Sequence, residues 1–388
     1  MKKVAILGST GSIGENTLRV IADNRDRFEV VALAAGSNWE RLAHQAREFS
    51  PKLVSISNSE NVASLNNGTD VKVLSGSEGL REVAAGVGAD IVVSALVGAV
   101  GLEPTLAAIE AGAAIALANK EVLVMAGELV TQRASDLKVP ILPIDSEHAG
   151  VAQLLDGSRA AHEVLRVILT ASGGPFRTTP IESLYEVTPE EALRHPTWKM
   201  GPKVTIDSAS MMNKGLELIE ASWLFDLAPN QVDVLIHPES VVHALAEFVD
   251  GSMLAQMSVP DMRISISQAL CYPDRVPCEV SRLDLASLGS LHFEEPGIGR
   301  FPCLTHARGV LNEGGASPAV LNAANEIAVA AFLEKRIGFM DIPALVATAL
   351  DGHRNTTAHN LDDILEADRW AREFTSSRLE SAKSKTRS

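Results

Sequence analysis

The sequence predicts an α/β protein: an N-terminal doubly wound parallel sheet, a central α+β region and a C-terminal helical bundle. Three observations carry that expectation. Short, nearly continuous apolar runs alternate with helical patterns over residues 4–144. Longer strand-like runs with one hairpin signal follow, and the last part of the chain has helical periodicity punctuated by Gly and Pro.

The first seven runs, "VAIL", "EVVALA", "KLVSIS", "VKVL", "DIVVSA", "AAIALA" and "VPILPI", read as strands, and stretches such as "NWERLAHQAREFS" and "GLEPTLAAIEAG" read as helices. Strands this apolar belong to a parallel sheet covered on both faces. Residues 1–144 are therefore expected to form one domain. From Asp145 to Tyr272 the runs "EVLRVILTASG", "VDVLIHP", "VVHALAEFV" and "SMLAQMSV" read as a second sheet, and Asp250-Gly251 is a hairpin turn signal. Residues 273–300, with Pro273, Pro277, Pro296, Gly297 and Gly299, read as a linker. Residues 301–375 carry four helical stretches and read as a helical domain, and residues 376–388, polar and without a core pattern, as a frayed tail.

A chain of 388 residues is long enough for several domains, and 46% hydrophobic with 21% charged residues is a globular composition. The net charge of -15 argues against a nucleic-acid or anionic-membrane surface, yet leaves room for a small phosphorylated ligand held by local donors. Cys271, Cys278 and Cys303 show neither a disulfide framework nor thiolate zinc spacing, which fits a reduced, cytoplasmic setting. The opening "MKKVAILGST" runs straight into a turn and reads as mature protein, and the apolar stretch "IVVSALVGAVGL" is too short to span a bilayer.

"VAILGSTGSIGENTLRV" puts Gly8, Gly11 and Gly14 in the first strand-to-helix turn of the sheet. There glycines let the backbone approach a pyrophosphate, and the N–H groups of Thr10, Gly11, Ser12 and Ile13 point at it from the helix start. The alternative is a plain tight turn. The position favours a Rossmann-like nucleotide site. The second strand ends at Gly36, Ser37 and Asn38 with no acid for a ribose 2′-OH, so NADP is expected over NAD, with Arg41 nearby left unassigned.

Asp145 and Glu147 stand two residues apart with Ser146 between them and His148 after. In an extended chain they would share a side and repel unless a cation or proton lay between them; a helix cap is the other reading. Three more stretches add weight. "ALANKEVLVMAG" places Asn119, Lys120 and Glu121 at the C-terminal end of the sixth strand, and "TASGGPF" offers Ser172 with a glycine turn. "IDSASMMNKGLELIEA" holds Ser208, Asn213, Lys214 and Glu217, with Asn213 and Glu217 on one helical face. A capping serine and a solvated ion pair would explain these locally, but their combination points to a phosphate-and-metal site.

The motifs "GSTGSIG", "NKE", "DSEH", "SGGPF", "HPTWKMG", "DSASMMNKGLELIEA", "LIHPES", "DGSMLAQM", "PDMR" and "LNAANEIAVAAF" together resemble the 1-deoxy-D-xylulose 5-phosphate reductoisomerases of the non-mevalonate isoprenoid pathway. The likeness runs from Lys3 to about Phe374. It implies a Rossmann-like NADPH domain, a central catalytic domain and a C-terminal helical domain. It also implies Mg2+ or Mn2+ on Asp145, Glu147 and Glu217, for which carboxylates suit a hard cation. The substrate's phosphate would meet Ser172, Ser208, Asn213 and Lys214; its hydroxyls and carbonyl would meet Lys120, Ser146 and His195. NADPH would meet Thr10, Gly11, Ser12, Ile13, Gly36, Asn38, Asn119, Glu121 and Gly201. "RHPTWKMG", with Trp198 and Met200, matches a mobile lid, and His148 and His237 are expected in support.

The sequence departs from the family at Ala149, where Asn is usual, and at Val122, where a small polar residue is common. A homodimer is implied by analogy with the family. The implied reaction is rearrangement and NADPH-dependent reduction of a small phosphorylated sugar. A plain NADPH dehydrogenase of a phosphorylated aldehyde would leave the carboxylates unexplained, and an inactive NADPH-binding protein would leave the intact set of polar site residues unexplained.

Overall fold

The structure, a computed structural model, describes residues 1–156, 163–198, 200–297, 299–358 and 360–385. It forms two compact units. Residues 1–122, 130–149 and 261–282 make the first, and residues 123–129, 150–260 and 283–388 the second.

All seven expected strands of the first unit are present: β1 (Lys2–Leu7), β2 (Phe28–Ala35), β3 (Leu53–Ile56), β4 (Lys72–Ser75), β5 (Ile91–Ser94), β6 (Ala114–Leu117) and β7 (Ile141–Pro143). They pair in parallel in the order β4-β3-β2-β1-β5-β6-β7. Val4, Ala5, Ile6 and Leu7 are all 0% exposed, as a strand covered on both faces requires. The winding reverses between β1 and β5, and ligands of such sheets bind outside the strand C-termini at that reversal. Gly8 leaves β1 there with φ +90°, and a Cβ on it would lie 2.4 Å from the Ala95 carbonyl oxygen beyond β5. Only glycine fits.

The helix Met262–Cys271 also belongs to this unit: Ile266, Ala269 and Leu270 share a core with Val4, Ile6, Leu18 and Ile21. The boundary expected near Tyr272 thus falls inside a stretch that packs with the sheet, because this helix buries its apolar face there.

The second unit carries β8 (Val164–Ala171), β9 (Val232–Ile236), β10 (Val242–Phe248) and β11 (Met253–Met257), in the order β11-β10-β8-β9. β8 and β9 are parallel, whereas β10 is antiparallel to both β8 and β11. The Asp250-Gly251 hairpin forms as read, with Gly251 at φ +83° and Ser252 donating through its N–H and hydroxyl to Asp250 Oδ1. Parallel pairing puts Ser172 and His237, which follow β8 and β9, at one end of the sheet.

The C-terminal helices Pro302–Glu313, Ser317–Leu333, Asp341–Gly352 and Leu361–Lys385 form as expected. They do not keep a core to themselves. Val320, Ala324, Phe332 and Val346 pack with Ile206, Met212, Leu216 and Ile219 of the helices Pro202–Ala209 and Met212–Phe225. One sequence expectation is corrected: the tail is helical to Lys385, and its Leu379 is buried at 5% exposure. The last three residues of the expected tail, 386–388, lie outside the described residues.

Candidate active site

At the C-terminal end of β1, the helix Ser12–Ala22 starts from Gly11, whose extended φ/ψ of -79°/172° is that of an N-cap without a side chain. Glu15 N–H is the first to donate back, to Gly11, so the N–H groups of Ser12, Ile13 and Gly14 have no acceptor within the helix. With no capping side-chain oxygen among the described residues, this helix start suits an anion. A Cβ on Gly14 would lie 2.3 Å from the Gly8 carbonyl oxygen, so the helix can sit this close to its strand only with glycine there. The turn is braced from behind by buried Gln45, which accepts from Ser9 Oγ at 2.8 Å and donates to the Ser9 carbonyl at 2.9 Å and to Glu15 at 2.8 Å.

Gly36 and Asn38 are exposed beyond β2, and no atom of the described residues lies within 4 Å of a Cβ built on Gly36. Asn38 caps the helix Trp39–Phe49 by accepting from Arg41 N–H at 3.1 Å. Arg41 itself is clamped by both oxygens of Glu15, at 2.6 and 2.5 Å.

Beyond β6, buried Asn119 donates to the Gly98 carbonyl at 3.2 Å and to Glu121 at 2.6 Å. Lys120 reaches Asp145 Oδ2 at 2.7 Å, both side chains being largely buried. Ala149 N–H donates to the Asp145 carbonyl at 2.8 Å, so a helix begins directly after Asp145 and Glu147 lies in its first turn. The extended geometry considered for the carboxylate pair is therefore not what forms. Both acids sit instead at a helix N-terminus, where the helix dipole favours negative charge. Ser146 Oγ donates to Glu147 at 2.5 Å.

In the second unit, β8 delivers Ser172 to a turn in which Gly173 and Gly174 have φ +81° and +66°. Ser172 Oγ and Ser208 Oγ each lie 3.1 Å from His195 Nε2. His195 Nδ1 accepts the N–H groups of Thr197 (3.2 Å) and Trp198 (2.9 Å). That fixes the tautomer: the proton is on Nε2, and burial pushes the imidazole pKa down, holding it neutral. An Nε2–H can only donate, so both serine hydroxyl protons remain to serve a ligand rich in acceptors.

Ser208 lies in the last turn of the helix Pro202–Ala209, whose N-cap is Gly201. After Met211, held at φ +61°, the helix Met212–Phe225 begins with Asn213 and Lys214 in its first turn. Both reach back to the wholly buried Glu217. Lys214 is only 3% exposed, so the solvated pair considered as an ordinary explanation is instead a buried one. Trp198 faces His243 with ring centroids 6.4 Å apart, and Lys199 of the same stretch lies outside the described residues.

Three family models match the chain: 1-deoxy-D-xylulose 5-phosphate reductoisomerase over residues 4–127, its C-terminal domain over 141–225, and the DXP reductoisomerase C-terminal domain over 257–374. The 1-deoxy-D-xylulose 5-phosphate reductoisomerase of Chlorobium phaeobacteroides (strain DSM 266) is 53% identical over 98% of this chain and 100% of its own length. The chain belongs to the 1-deoxy-D-xylulose 5-phosphate reductoisomerase family.

The Heliobacterium modesticaldum reductoisomerase is 51% identical over 98% of both chains. Among solved structures, a DOX-P reductoisomerase in complex with NADPH, fosmidomycin and magnesium superposes with a TM-score of 0.94 at 43% identity, covering 99% of each chain. The Zymomonas mobilis reductoisomerase in complex with NADPH gives 0.90 at 44% identity, covering 98% of this chain and 99% of its own.

For a chain of the reductoisomerase family, the expected site residues gather in two groups. Thr10, Gly11, Ser12, Ile13, Gly36, Asn38, Asn119, Lys120, Glu121, Asp145, Ser146 and Glu147 are in the first unit. Ser172, His195, Gly201, Ser208, Asn213, Lys214 and Glu217 are in the second. Ala149, the departure from the reductoisomerase pattern, is 1% exposed in the first helical turn after Asp145. His237 is also buried, stacked on Phe293 at 4.7 Å, with Nδ1 against the His292 carbonyl at 2.9 Å. Gln45 was missed by sequence reasoning. Its partner Ser9 is 36 residues away, and a lone amide in an amphipathic helix gives no local signal.

Proposed function

We propose that the chain catalyses the NADPH- and divalent-metal-dependent rearrangement and reduction of 1-deoxy-D-xylulose 5-phosphate to 2-C-methyl-D-erythritol 4-phosphate. Full-length kinship with reductoisomerases, including one solved with NADPH and magnesium, carries this reading.

The residues present fit both cofactors. The side-chain-free N-cap at Gly11 suits the NADPH pyrophosphate, with Gly36, Asn38, Asn119, Glu121 and Gly201 completing that site. Asp145, Glu147 and Glu217 offer the oxygen donors that Mg2+ or Mn2+ prefers, and the Lys120 and Lys214 ammonium groups donate to two of them. When bound, the metal would stabilise the negative charge that develops on the substrate oxygens.

The chain's own side chains do the rest. Ser172, Ser208, Asn213 and Lys214 present hydrogen-bond donors to the substrate phosphate, whose binding energy orients the sugar for reaction. His195, neutral with its proton on Nε2, donates to a substrate oxygen, and Lys120 and Ser146 hold the hydroxyls. Trp198 and Met200 belong to the lid that excludes water. The same proposal extends to a cytoplasmic homodimer. β11, an edge strand with Met253 47% and Leu254 39% exposed, supports the dimer. No helix among the described residues is long and apolar enough to cross a membrane.

The deciding experiment follows NADPH absorbance with 1-deoxy-D-xylulose 5-phosphate, with Mg2+ or Mn2+ and then with chelator. Turnover that needs the metal is expected. Turnover indifferent to chelation would favour plain dehydrogenase chemistry, and none in either condition would overturn the assignment.

A further inference from the structure

The helix Ser317–Leu333 is almost wholly buried, yet it carries Asn325 at 0% exposure in the core of the second unit. Asn325 Nδ2 donates to Asp207 Oδ1 at 2.8 Å, while Asn325 Oδ1 has no hydrogen-bond partner among the described residues. A buried amide with one half unsatisfied costs stability, and an alanine, frequent in this helix, would avoid that cost. The bond to Asp207 is what the amide provides.

Asp207 is 1% exposed, and its other oxygen accepts Lys203 Nζ at 2.9 Å. It is also the residue before Ser208. Its carbonyl accepts Ser210 Oγ at 3.2 Å, and Ser210 Oγ in turn receives the Met212 N–H that opens the next helix at 3.4 Å. On the other side, a Cβ on Gly174 would lie 2.9 Å from the Ser208 carbonyl oxygen, so the Ser172 turn and the Ser208 backbone are already in close packing. A small displacement of Asp207 moves Ser208 against that turn and shifts the start of the helix that carries Asn213 and Lys214.

We propose that Asn325 is a positioning residue for phosphate recognition: through Asp207 it fixes Ser208 and the start of the Met212–Phe225 helix relative to the Ser172 turn. The inference rests on the function proposed above only in naming the sugar phosphate; the anion itself can be tested without turnover.

In the full-length protein with Mg2+, Asn325→Ala is expected to raise KM for the sugar phosphate roughly tenfold, and the inhibition constant of inorganic phosphate by a similar factor. kcat and KM for NADPH should stay within about threefold of the parent. A fall in kcat with KM and phosphate inhibition unchanged would overturn the proposal. Asn325→Asp sets two carboxylates against each other and should raise KM further; adding Asp207→Asn restores a carboxylate–amide pair of reversed polarity and should bring KM back toward the parent value. If Asn325→Ala does not fold, this reciprocal pair decides. A folded double variant with KM and phosphate inhibition as poor as those of Asn325→Asp would count against it.

Inorganic phosphate should also raise the Tm of the parent, and at the same concentration raise that of Asn325→Ala clearly less. That shift is read without substrate. A parent that binds phosphate but does not turn over would sink the proposed function and leave this inference standing, whereas equal phosphate shifts in parent and variant would sink the inference alone.

Discussion

His195 shows how a single proton sets the character of the site. Its Nδ1 accepts two backbone N–H groups, so protonating the ring would place a hydrogen against two donors. Burial pushes the pKa below the ordinary histidine value of about 6.5. Because the folded value is the lower one, the stability tied to neutral His195 is fully present above pH ~6.5 and is lost as pH falls through the folded pKa. Activity should show an acid limb in the same range, and a pH–rate profile of His195→Gln should lack it. Glu217→Gln should cut turnover by orders of magnitude while NADPH affinity, read by fluorescence titration, changes less than about twofold. The substitution also removes the carboxylate charge that faces the buried Lys214 ammonium, a loss of roughly 3–5 kcal/mol by denaturant melts. At this scale the sequence was legible where partners are three or four residues apart, as with Asn213, Lys214 and Glu217. The convergence of Ser172 and Ser208 on His195 spans 23 and 13 residues and depends on tertiary packing, so the chain order alone could not display its geometry.

Elements were more legible than contacts. All seven strands of the parallel sheet could be read because burial on both faces leaves an unbroken apolar signature, as Val4 to Leu7 show. The helix after Phe374 was not, because a helix lying on the surface needs only a few apolar positions, here including Leu379, within a polar composition. At Asp145 the extended pair and the helix cap were both open readings, because Ser and Glu are as common in a first turn as in a loop; the helix forms. The glycine turn yields a prediction at this scale. Gly8→Ala puts a methyl against the Ala95 carbonyl at a φ that L-residues avoid. It should cost at least ~1–3 kcal/mol and lower Tm, with NADPH binding lost along with the shape of the turn. An unchanged melting curve would show that the strand ends can part without penalty.

For the molecule as a whole, the sequence pattern separated central and C-terminal regions that share one core. Periodicity reports which face of a helix is apolar but not which neighbour covers it. Ile206, Met212 and Leu216 are covered by residues more than a hundred positions later, among them Val320 and Phe332. A chain ending at Arg300 should therefore fail to fold its second unit, with limited proteolysis cutting between residues 163 and 260 as soon as digestion begins. Protection of that stretch would mean the central region folds alone.

The buried pairing of Lys214 with Glu217 also bears on how a substrate arrives. A cation 3% exposed and cancelled by its own neighbour projects little field into solvent, while the chain as a whole carries a net charge of -15. A dianionic sugar phosphate is then repelled at long range and recognised only on contact. The encounter rate, measured by stopped-flow at low ionic strength, should rise as salt screens that repulsion, the reverse of an electrostatically steered enzyme. Selectivity in such a site comes from how slowly the right ligand leaves, not from how quickly it is drawn in.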